Sequence, residues 1–132
     1  MLKLKNIPEE LQSAIDEKGY DKLTSVQSLV LDPSNSGKDL LVSSQTGSGK
    51  TLAYGLSISC DGLKEIIDED NKLKTLIVTP TRELALQVFN ELAWLFSKTS
   101  ITISTAIGGM DIKKERKNIV KGVDLLIGTP GR

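Results

Sequence analysis

Apolar residues in this 132-residue chain follow two spacings, which divide it into predicted strands and helices. Four short, nearly continuous apolar runs have the length and β-branched content of strands: Asp39–Ser44, Thr75–Thr79, Ile101–Ile107 and Val123–Gly128. Apolar residues at helical spacing predict five helices: residues 8–18, Thr24–Leu31, about Gly49 to Cys60, about Thr81 to Ser97, and Asp111 to Lys121. Gly19 and Gly122 are placed to end the helices before them.

The order of these elements predicts the fold class. Strands alternate with helices, which is typical of an α/β fold with a mainly parallel sheet covered on both faces, a three-layer sandwich. Ligands of such sheets bind at the carboxyl ends of the strands. Four segments follow directly on predicted strands and are therefore expected to share one edge of the sheet: the Gly47–Thr51 loop, Pro80–Glu83, Gly108–Gly109 and Thr129–Arg132.

The segment after the first predicted strand has the pattern of a phosphate-binding loop. It reads Ser44-Gln45-Thr46-Gly47-Ser48-Gly49-Lys50-Thr51 and leads into a predicted helix. Glycines let backbone amides turn inward, and the helix N-terminus adds partial positive charge for an anion. Lys50 would reach the β- and γ-phosphates, and the Thr51 hydroxyl would ligate Mg²⁺. The strict pattern begins with glycine, where this chain has Ser44; the alternative is a plain glycine turn beside a surface lysine.

Composition limits the kinds of chemistry that the chain can perform. The 17 basic and 17 acidic residues balance, so any contact with nucleic acid must come from local placement of donors. The absence of histidine excludes imidazole catalysis and histidine-ligated metals, and the one cysteine, Cys60, predicts no internal disulfide. We see no signal peptide and no run of about 20 apolar residues, which predicts a cytoplasmic protein with no membrane partner.

The other strand-end segments carry donors suited to phosphate. Thr81 and Arg82 begin a helix directly after a strand, so that amides, a hydroxyl and a guanidinium converge. Gly108-Gly109 permits close approach of a sugar-phosphate backbone, and Thr129 and Arg132 offer a third contact. Each has a local alternative: a helix cap, a salt bridge or a plain turn. Together they favour a nucleic-acid track that reads no bases.

Five segments, in the order of the family's motifs, resemble the DEAD-box family of ATP-dependent RNA helicases over residues 4–132. Gly19–Gln27 looks like the Q motif, Ser44–Thr51 like motif I, Gly108-Gly109 like the glycine pair, and Thr129–Arg132 like motif Ib. Pro80-Thr81-Arg82-Glu83-Leu84-Ala85 is identical to motif Ia. The resemblance implies a RecA-like phosphate-loop NTPase domain. We expect an N-terminal helical Q-motif region over 1–36 and part of an ATP-binding domain over 37–132.

The resemblance also implies roles for single residues. Gln27 would pair with the adenine edge and Tyr20 would stack on the base or ribose, although Thr24 and Gln27 also satisfy a helix capping box. The residues expected to bind ATP are Tyr20, Gln27, Thr46, Gly47, Ser48, Gly49, Lys50 and Thr51, with Lys50 and Thr51 catalytic and Thr51 on Mg²⁺. Those expected to touch the RNA backbone are Pro80, Thr81, Arg82, Gly108, Gly109, Thr129 and Arg132.

Several family features are missing. Leu23 stands where proline is usual, Ser44 where alanine is usual, and no aromatic residue precedes Tyr20. The family's Asp-Glu-Ala-Asp and Ser-Ala-Thr motifs and its second RecA-like domain are not in the sequence. Asp68-Glu69-Asp70 does not replace the missing acids, because it lies in a charged connector rather than after a buried strand. We therefore expect the chain by itself to be catalytically incomplete.

Two other functions stay open from the sequence alone. A different phosphate-loop enzyme, such as a small-molecule kinase, would share Lys50 and Thr51 but would have no use for the Pro80–Ala85 segment. A truncated, non-catalytic RNA-binding protein would keep the strand-end donors without turnover.

Overall fold

A computed structural model describes residue 4, residues 7–66 and residues 73–132, with the backbone alone described for residues 60–66. The chain consists of two compact units, residues 1–63 with 94–99, and residues 64–93 with 100–132. The acidic run Asp68-Glu69-Asp70 and the side chain of Cys60 lie outside the described residues. The predicted division after residue 36 stays a prediction.

The first unit consists of helices and the phosphate-loop segment. It contains α1 (Glu9–Glu17), α2 (Ser25–Val30), a short 3-10 helix (Pro33–Asn35) and the beginning of α3 (Lys50–Ile66). Its buried apolar side chains come from α1, α2, the beginning of α3 and residues 94–99: Leu11, Ala14, Ile15, Val26, Leu52, Ala53, Leu56, Leu95 and Phe96. Lys98 secures residues 94–99 to α1 through the Ser13 hydroxyl (2.8 Å) and an ion pair with Glu17.

The second unit is built on a parallel sheet. It contains β1 (Thr75–Val78), α4 (Arg82–Leu95) as far as Ala93, β2 (Ile103–Ala106), α5 (Ile112–Val120) and β3 (Leu125–Gly128). The strand order is β1-β3-β2, and Gly128 at the end of β3 is in register with both Val78 and Ala106. Leu125 and Ile127 of the central strand are buried, as expected for a strand with a neighbour on each side. The carboxyl ends of the three strands are therefore level.

The structure confirms the predicted parallel α/β fold, with one strand fewer than expected. The last three predicted strands are present within a residue or two of their expected ends, and α3 runs past Cys60 to Ile66. The predicted strand at Asp39–Ser44 is wrong. A strand is defined by hydrogen bonds to a neighbour, and none of the described strands pairs with this run, where Leu41 is fully exposed.

In the described part of the chain, no helix combines the length and apolar character that crossing a lipid bilayer requires.

Candidate nucleotide and nucleic-acid sites

The phosphate-loop segment in the first unit ends where α3 begins. Gly47 and Gly49 have φ angles of 75° and 84°, a region that favours glycine, and Lys50 is the first residue of the helix. The amides of a first helical turn have no partner within the helix, so they are free to meet an anion. Thr51 follows Lys50 and is half-buried in that turn. The glycine turn into α3 therefore agrees with the sequence pattern, and its role as a phosphate site stays a prediction.

The Lys50 ammonium is held inside this loop by oxygen atoms of the loop itself. It donates to the carbonyl oxygens of Ser44 (2.6 Å) and Gln45 (2.7 Å) and to the Ser44 hydroxyl (3.1 Å). The Ser44 hydroxyl also lies 2.8 Å from that of Ser48. Ser44, which departs from the strict loop pattern, therefore adds a side-chain acceptor that glycine or alanine would lack.

Gln27 connects α2 to the phosphate loop. Its Oε1 accepts from the Thr24 amide (2.9 Å) and the Thr24 hydroxyl accepts from the Gln27 amide (3.4 Å), which makes the capping box real. Its Nε2 donates to the Gly49 carbonyl (3.2 Å), and the Thr24 hydroxyl donates to the Ser48 carbonyl (2.9 Å). Gln27 is only 2% exposed. The capping box is visible in the sequence, but these two contacts with the loop are not, because they join residues more than twenty positions apart.

The Tyr20 ring has a protein partner. It stacks on Trp94 with ring centroids 6.1 Å apart and an interplanar angle of 11°, and the Lys18 ammonium lies 5.3 Å from the Trp94 ring centre. Tyr20 is still 39% exposed. One face of the Tyr20 ring therefore contacts Trp94. The predicted contact of Tyr20 with base or ribose stays a prediction for the exposed part of the ring. Trp94 was not among the predicted site residues, since its only sequence signal was a place in an amphipathic helix.

In the second unit, three strand ends meet at one edge. Residues 79–82 follow β1, Ile107–Gly109 follows β2 and Thr129–Arg132 follows β3. Thr81 accepts from the Leu84 amide (3.2 Å) as a cap of α4, which is the local role considered for it. The Thr129 amide donates to the Ala106 carbonyl (3.2 Å), which ties two of the segments together. The phosphate loop belongs to the other unit, and its predicted place at this edge stays a prediction.

Arg82 lies against the glycine pair. An added Cβ on Gly109 would come within 2.5 Å of Arg82 Nη1, and one on Gly108 within 3.2 Å of Nη2. Gly109 also has a φ of 85°, which favours glycine on its own account. The guanidinium therefore packs on a backbone that has no side chain in the way, and Arg82 and Pro80 are exposed at this edge.

Arg132 is engaged with the same turn from another side. Its Nε donates to the Ile107 carbonyl (3.2 Å) and its Nη2 to the Met110 carbonyl (2.5 Å), while Nε lies 2.9 Å from Glu115 Oε2. The Arg132 side chain is 17% exposed. The predicted contact of Arg132 with RNA is thus accompanied by a structural role that the sequence did not reveal. Glu115 was missed as well, because an acid in the first turn of a polar helix gives no sign of burial.

Asp124 directly precedes β3, at the end of that strand opposite Thr129–Arg132, and has a local partner there. Its carboxylate accepts from the amide and the hydroxyl of Thr102, both at 2.8 Å. Among the described residues, no three acidic or cysteine side chains gather into a metal site.

The family model for the DEAD/DEAH box helicases matches residues 24–132. The chain belongs to this family. Among curated DEAD-box relatives, the ATP-dependent RNA helicase HAS1 of Candida albicans is 42% identical over 125 residues, covering 94% of this chain and 22% of that protein. The ATP-dependent RNA helicase RhlB of Pasteurella multocida is 39% identical over 134 residues, covering 99% of this chain and 32% of that protein. The chain thus spans about a fifth to a third of the length of these relatives.

Solved structures of DEAD-box proteins share the fold. The DEAD-box helicase Mss116 bound to ssRNA and UDP-BeF superposes with a TM-score of 0.85 at 29% identity, covering 97% of this chain and 27% of that one. A hypothetical ATP-dependent RNA helicase from Sulfolobus tokodaii gives a TM-score of 0.80 at 34% identity, covering 96% and 35%. This DEAD-box chain therefore forms part of a RecA-like fold.

Proposed function

We propose that this chain is the N-terminal ATP- and RNA-binding part of an ATP-dependent RNA helicase. The whole protein would unwind or remodel short RNA duplexes with the energy of ATP hydrolysis. The observation that carries the proposal is the hydrogen bond from Gln27 to the Gly49 carbonyl, which joins the candidate Q motif to the phosphate loop. A general phosphate-loop enzyme has no need of a buried glutamine amide in contact with that loop.

The residues around Lys50 fit the phosphates of ATP. The positive φ angles of Gly47 and Gly49 let the backbone turn closely into the N-terminus of α3, where helix amides can meet an anion. Lys50 can exchange its neutral loop acceptors for charged phosphate oxygens, which form stronger hydrogen bonds. The Thr51 hydroxyl, one position into α3, suits a Mg²⁺ ligand. Bound ATP would supply the phosphoanhydride bond whose hydrolysis provides the energy for remodelling RNA.

Adenine selection is assigned to Gln27, and stacking on the base or ribose is assigned to Tyr20. One hydrogen on Gln27 Nε2 and one lone pair on Oε1 are left over after the contacts with Gly49 and Thr24, since an amide has two donors and two acceptor sites. That remaining donor–acceptor pair can match the adenine edge. The capping and base-reading roles of Gln27 are therefore compatible in their hydrogen-bond count, and contact with a base requires this side chain, which is 2% exposed, to become accessible.

The edge formed by the three strand ends is assigned to an RNA backbone. Pro80, Thr81 and Arg82 follow β1, and the Arg82 guanidinium lies against the Gly108-Gly109 turn. Thr129 and Arg132 follow β3. Backbone and guanidinium donors contact phosphates without reading bases, so binding would not depend on sequence. Mss116, a protein of this fold, has been solved with ssRNA bound, which supports the assignment.

The rest of the proposal concerns the whole protein. A second RecA-like domain of the same protein would complete the ATP site, and the protein would act in the cytoplasm. Membership of the DEAD/DEAH box family speaks against a small-molecule kinase. A non-catalytic RNA-binding protein stays the alternative, and measurement of duplex unwinding by the protein with its complete domains separates the two.

Replacement of Gln27 by alanine tests the proposal. We expect the wild-type protein to bind ADP at least about tenfold more tightly than GDP, a difference of about 1.4 kcal/mol, and the variant to lose that preference. Loss of the capping box also costs about 1 kcal/mol of stability. The ratio of the two affinities, measured with fluorescent nucleotides below the melting temperature, is therefore the readout.

The matched control for this experiment is Gln87→Ala, which removes the same amide from an exposed position on α4. It should leave both nucleotide affinities unchanged. Equal binding of ADP and GDP by the wild type, unaffected by Gln27→Ala, would leave a generic phosphate loop and contradict the adenine assignment.

Phosphate release by the 132-residue chain itself is expected to stay near background, with or without RNA. The reason is chemical: its sequence has no acidic pair after a buried strand to hold Mg²⁺ and position water. A phosphate-release assay with added single-stranded RNA checks this, and robust RNA-stimulated turnover would show the expectation to be wrong.

A further inference from the structure

Glu115 is an acidic residue buried in a helix that is otherwise mostly exposed. It lies in the first half of α5 and is 8% exposed, whereas Lys113, Lys114 and Arg116 beside it are exposed. Removing a carboxylate from water is unfavourable unless charged and hydrogen-bonding partners compensate. The position of those partners indicates what the burial achieves.

The partners of Glu115 enclose the end of β2. Its Oε1 accepts from the Ile107 amide at 2.9 Å, and its Oε2 lies 2.9 Å from Arg132 Nε. Since the Nε hydrogen is directed at the Ile107 carbonyl, the contact with Oε2 is an ion pair rather than a hydrogen bond. Both backbone polar groups of Ile107, just beyond the sheet ladder, are thus bound by this one ion pair.

Arg132 extends the same contact across the turn. Its Nη2 donates to the Met110 carbonyl, so the Glu115–Arg132 pair holds the backbone on both sides of Gly108-Gly109. The guanidinium of Arg82 packs on the two glycines themselves. A change in the path of residues 107–110 would therefore change the surface against which Arg82 is placed.

We propose that Glu115 is a positioning residue for the RNA-binding edge: with Arg132 it fixes the Gly108-Gly109 turn in the form on which Arg82 packs. This inference rests on the proposed RNA-binding function. Glu115 itself does not touch RNA, since its carboxylate is buried beneath the turn. Part of the contribution of Arg132 to RNA binding is accordingly indirect, through the turn.

The test uses Glu115→Gln, which keeps the shape and an acceptor for the Ile107 amide but removes the charge that pairs with Arg132. The matched control is Glu91→Gln, the same substitution on α4, where Glu91 accepts from Gln87. Affinity for a fluorescein-labelled oligo(U) RNA is measured by anisotropy, below the melting temperature and at saturating ADP. We expect Glu115→Gln to weaken RNA binding about tenfold and Glu91→Gln to leave it unchanged.

Two further readouts separate positioning from bulk stability. The amide signals of Gly108 and Gly109 in ¹H–¹⁵N spectra should shift in Glu115→Gln and not in Glu91→Gln, while ADP affinity stays at the wild-type value. A double variant with Arg132→Gln should bind RNA no more weakly than Arg132→Gln alone, because both residues act through one turn. If the ion pair only stabilised the fold, its loss in Glu115→Gln would lower the melting temperature and leave the RNA affinity and the glycine signals unchanged.

The possible outcomes are distinct. The positioning role is wrong if Glu115→Gln binds RNA like the wild type. It is also wrong if the loss of RNA affinity in Glu115→Gln adds fully to the loss in Arg132→Gln. If Glu115→Gln does not fold, Arg132→Lys is the test, because lysine keeps the positive charge but lacks the planar guanidinium group. Gly108 and Gly109 signals that stay unchanged in Arg132→Lys would overturn the inference. If the wild type binds ADP but no RNA, the proposed function fails and the RNA role of Glu115 fails with it.

Discussion

Replacement of Gly49 by alanine is expected to lower the affinity for ADP by about a hundredfold or more, equivalent to about 3 kcal/mol. Two separate effects displace the loop backbone from the form that binds an anion, and this displacement lowers the affinity. The φ of 84° is unfavourable for any residue with a Cβ, at roughly 1–2 kcal/mol. The added Cβ would also overlap Gln27 Nε2, and this side chain cannot move away cheaply, because it is buried and bonded at both ends.

Gly37 and Gly47 provide controls for the two costs. Both have positive φ, at 70° and 75°, and neither has an atom within 4 Å of an added Cβ. Gly37→Ala should therefore show only the backbone cost in its melting temperature, with ADP affinity unchanged. Gly47→Ala should show the same cost within the loop and a smaller loss of ADP affinity than Gly49→Ala.

The double variant Gly49→Ala/Gln27→Ala isolates the collision. Removing the glutamine amide takes away the overlapping atom, so the fall in stability of the double variant should be smaller than the sum of the falls for Gly49→Ala and Gln27→Ala. Equal melting temperatures and equal ADP affinities for Gly49→Ala and Gly37→Ala would show that the contact between Gln27 and the loop has no energetic importance.

Replacement of Gly109 by alanine is expected to weaken RNA binding by about tenfold or more while the fold and ADP binding survive. The added Cβ would come within 2.5 Å of Arg82 Nη1. Arg82 is exposed and has a long side chain, so it can move aside, unlike Gln27. The displacement removes a charge-assisted contact from the proposed RNA edge, worth about 1.5–3 kcal/mol.

Gly108→Ala is the natural comparison, because it adds the same methyl group to the neighbouring residue. Gly108 has no positive φ, and its added Cβ would lie 3.2 Å from Arg82 Nη2, a distance that a small adjustment relieves. Its RNA affinity, measured by anisotropy, should therefore fall less than that of Gly109→Ala. A larger loss for Gly108→Ala than for Gly109→Ala would contradict the placement of Arg82.

Local features were predictable from the sequence, and contacts between distant residues were not. The spacing of Thr24 and Gln27 predicts the capping box because both ends of that interaction lie within one turn of helix. The strands β1, β2 and β3 were visible as apolar runs of strand length. The run at Asp39–Ser44 has the same apolar pattern. A run becomes a strand only if it pairs with a neighbouring strand, and its own residues do not show whether such a neighbour is present.

The candidate sites show the same difference between local features and contacts of distant residues. The sequence identifies the glycine loop, Lys50 and the strand-end glycines as candidates because the pattern of each lies in consecutive residues. The burial of Glu115, its ion pair with Arg132 and the contact of Gln27 with Gly49 depend on how separate segments pack. Glu115 in particular reads as a solvated acid near a helix N-terminus, a place that favours acids for an unrelated reason.

The stack of Tyr20 on Trp94 gives the protein an intrinsic optical probe. Trp94 is the one tryptophan of the chain, so its fluorescence emission comes from a single, known environment. That environment consists in part of the Tyr20 ring and the Lys18 ammonium. Any movement of the Tyr20 ring alters the surroundings of the indole, and the emission spectrum of the unlabelled protein therefore reports directly on that residue during a titration.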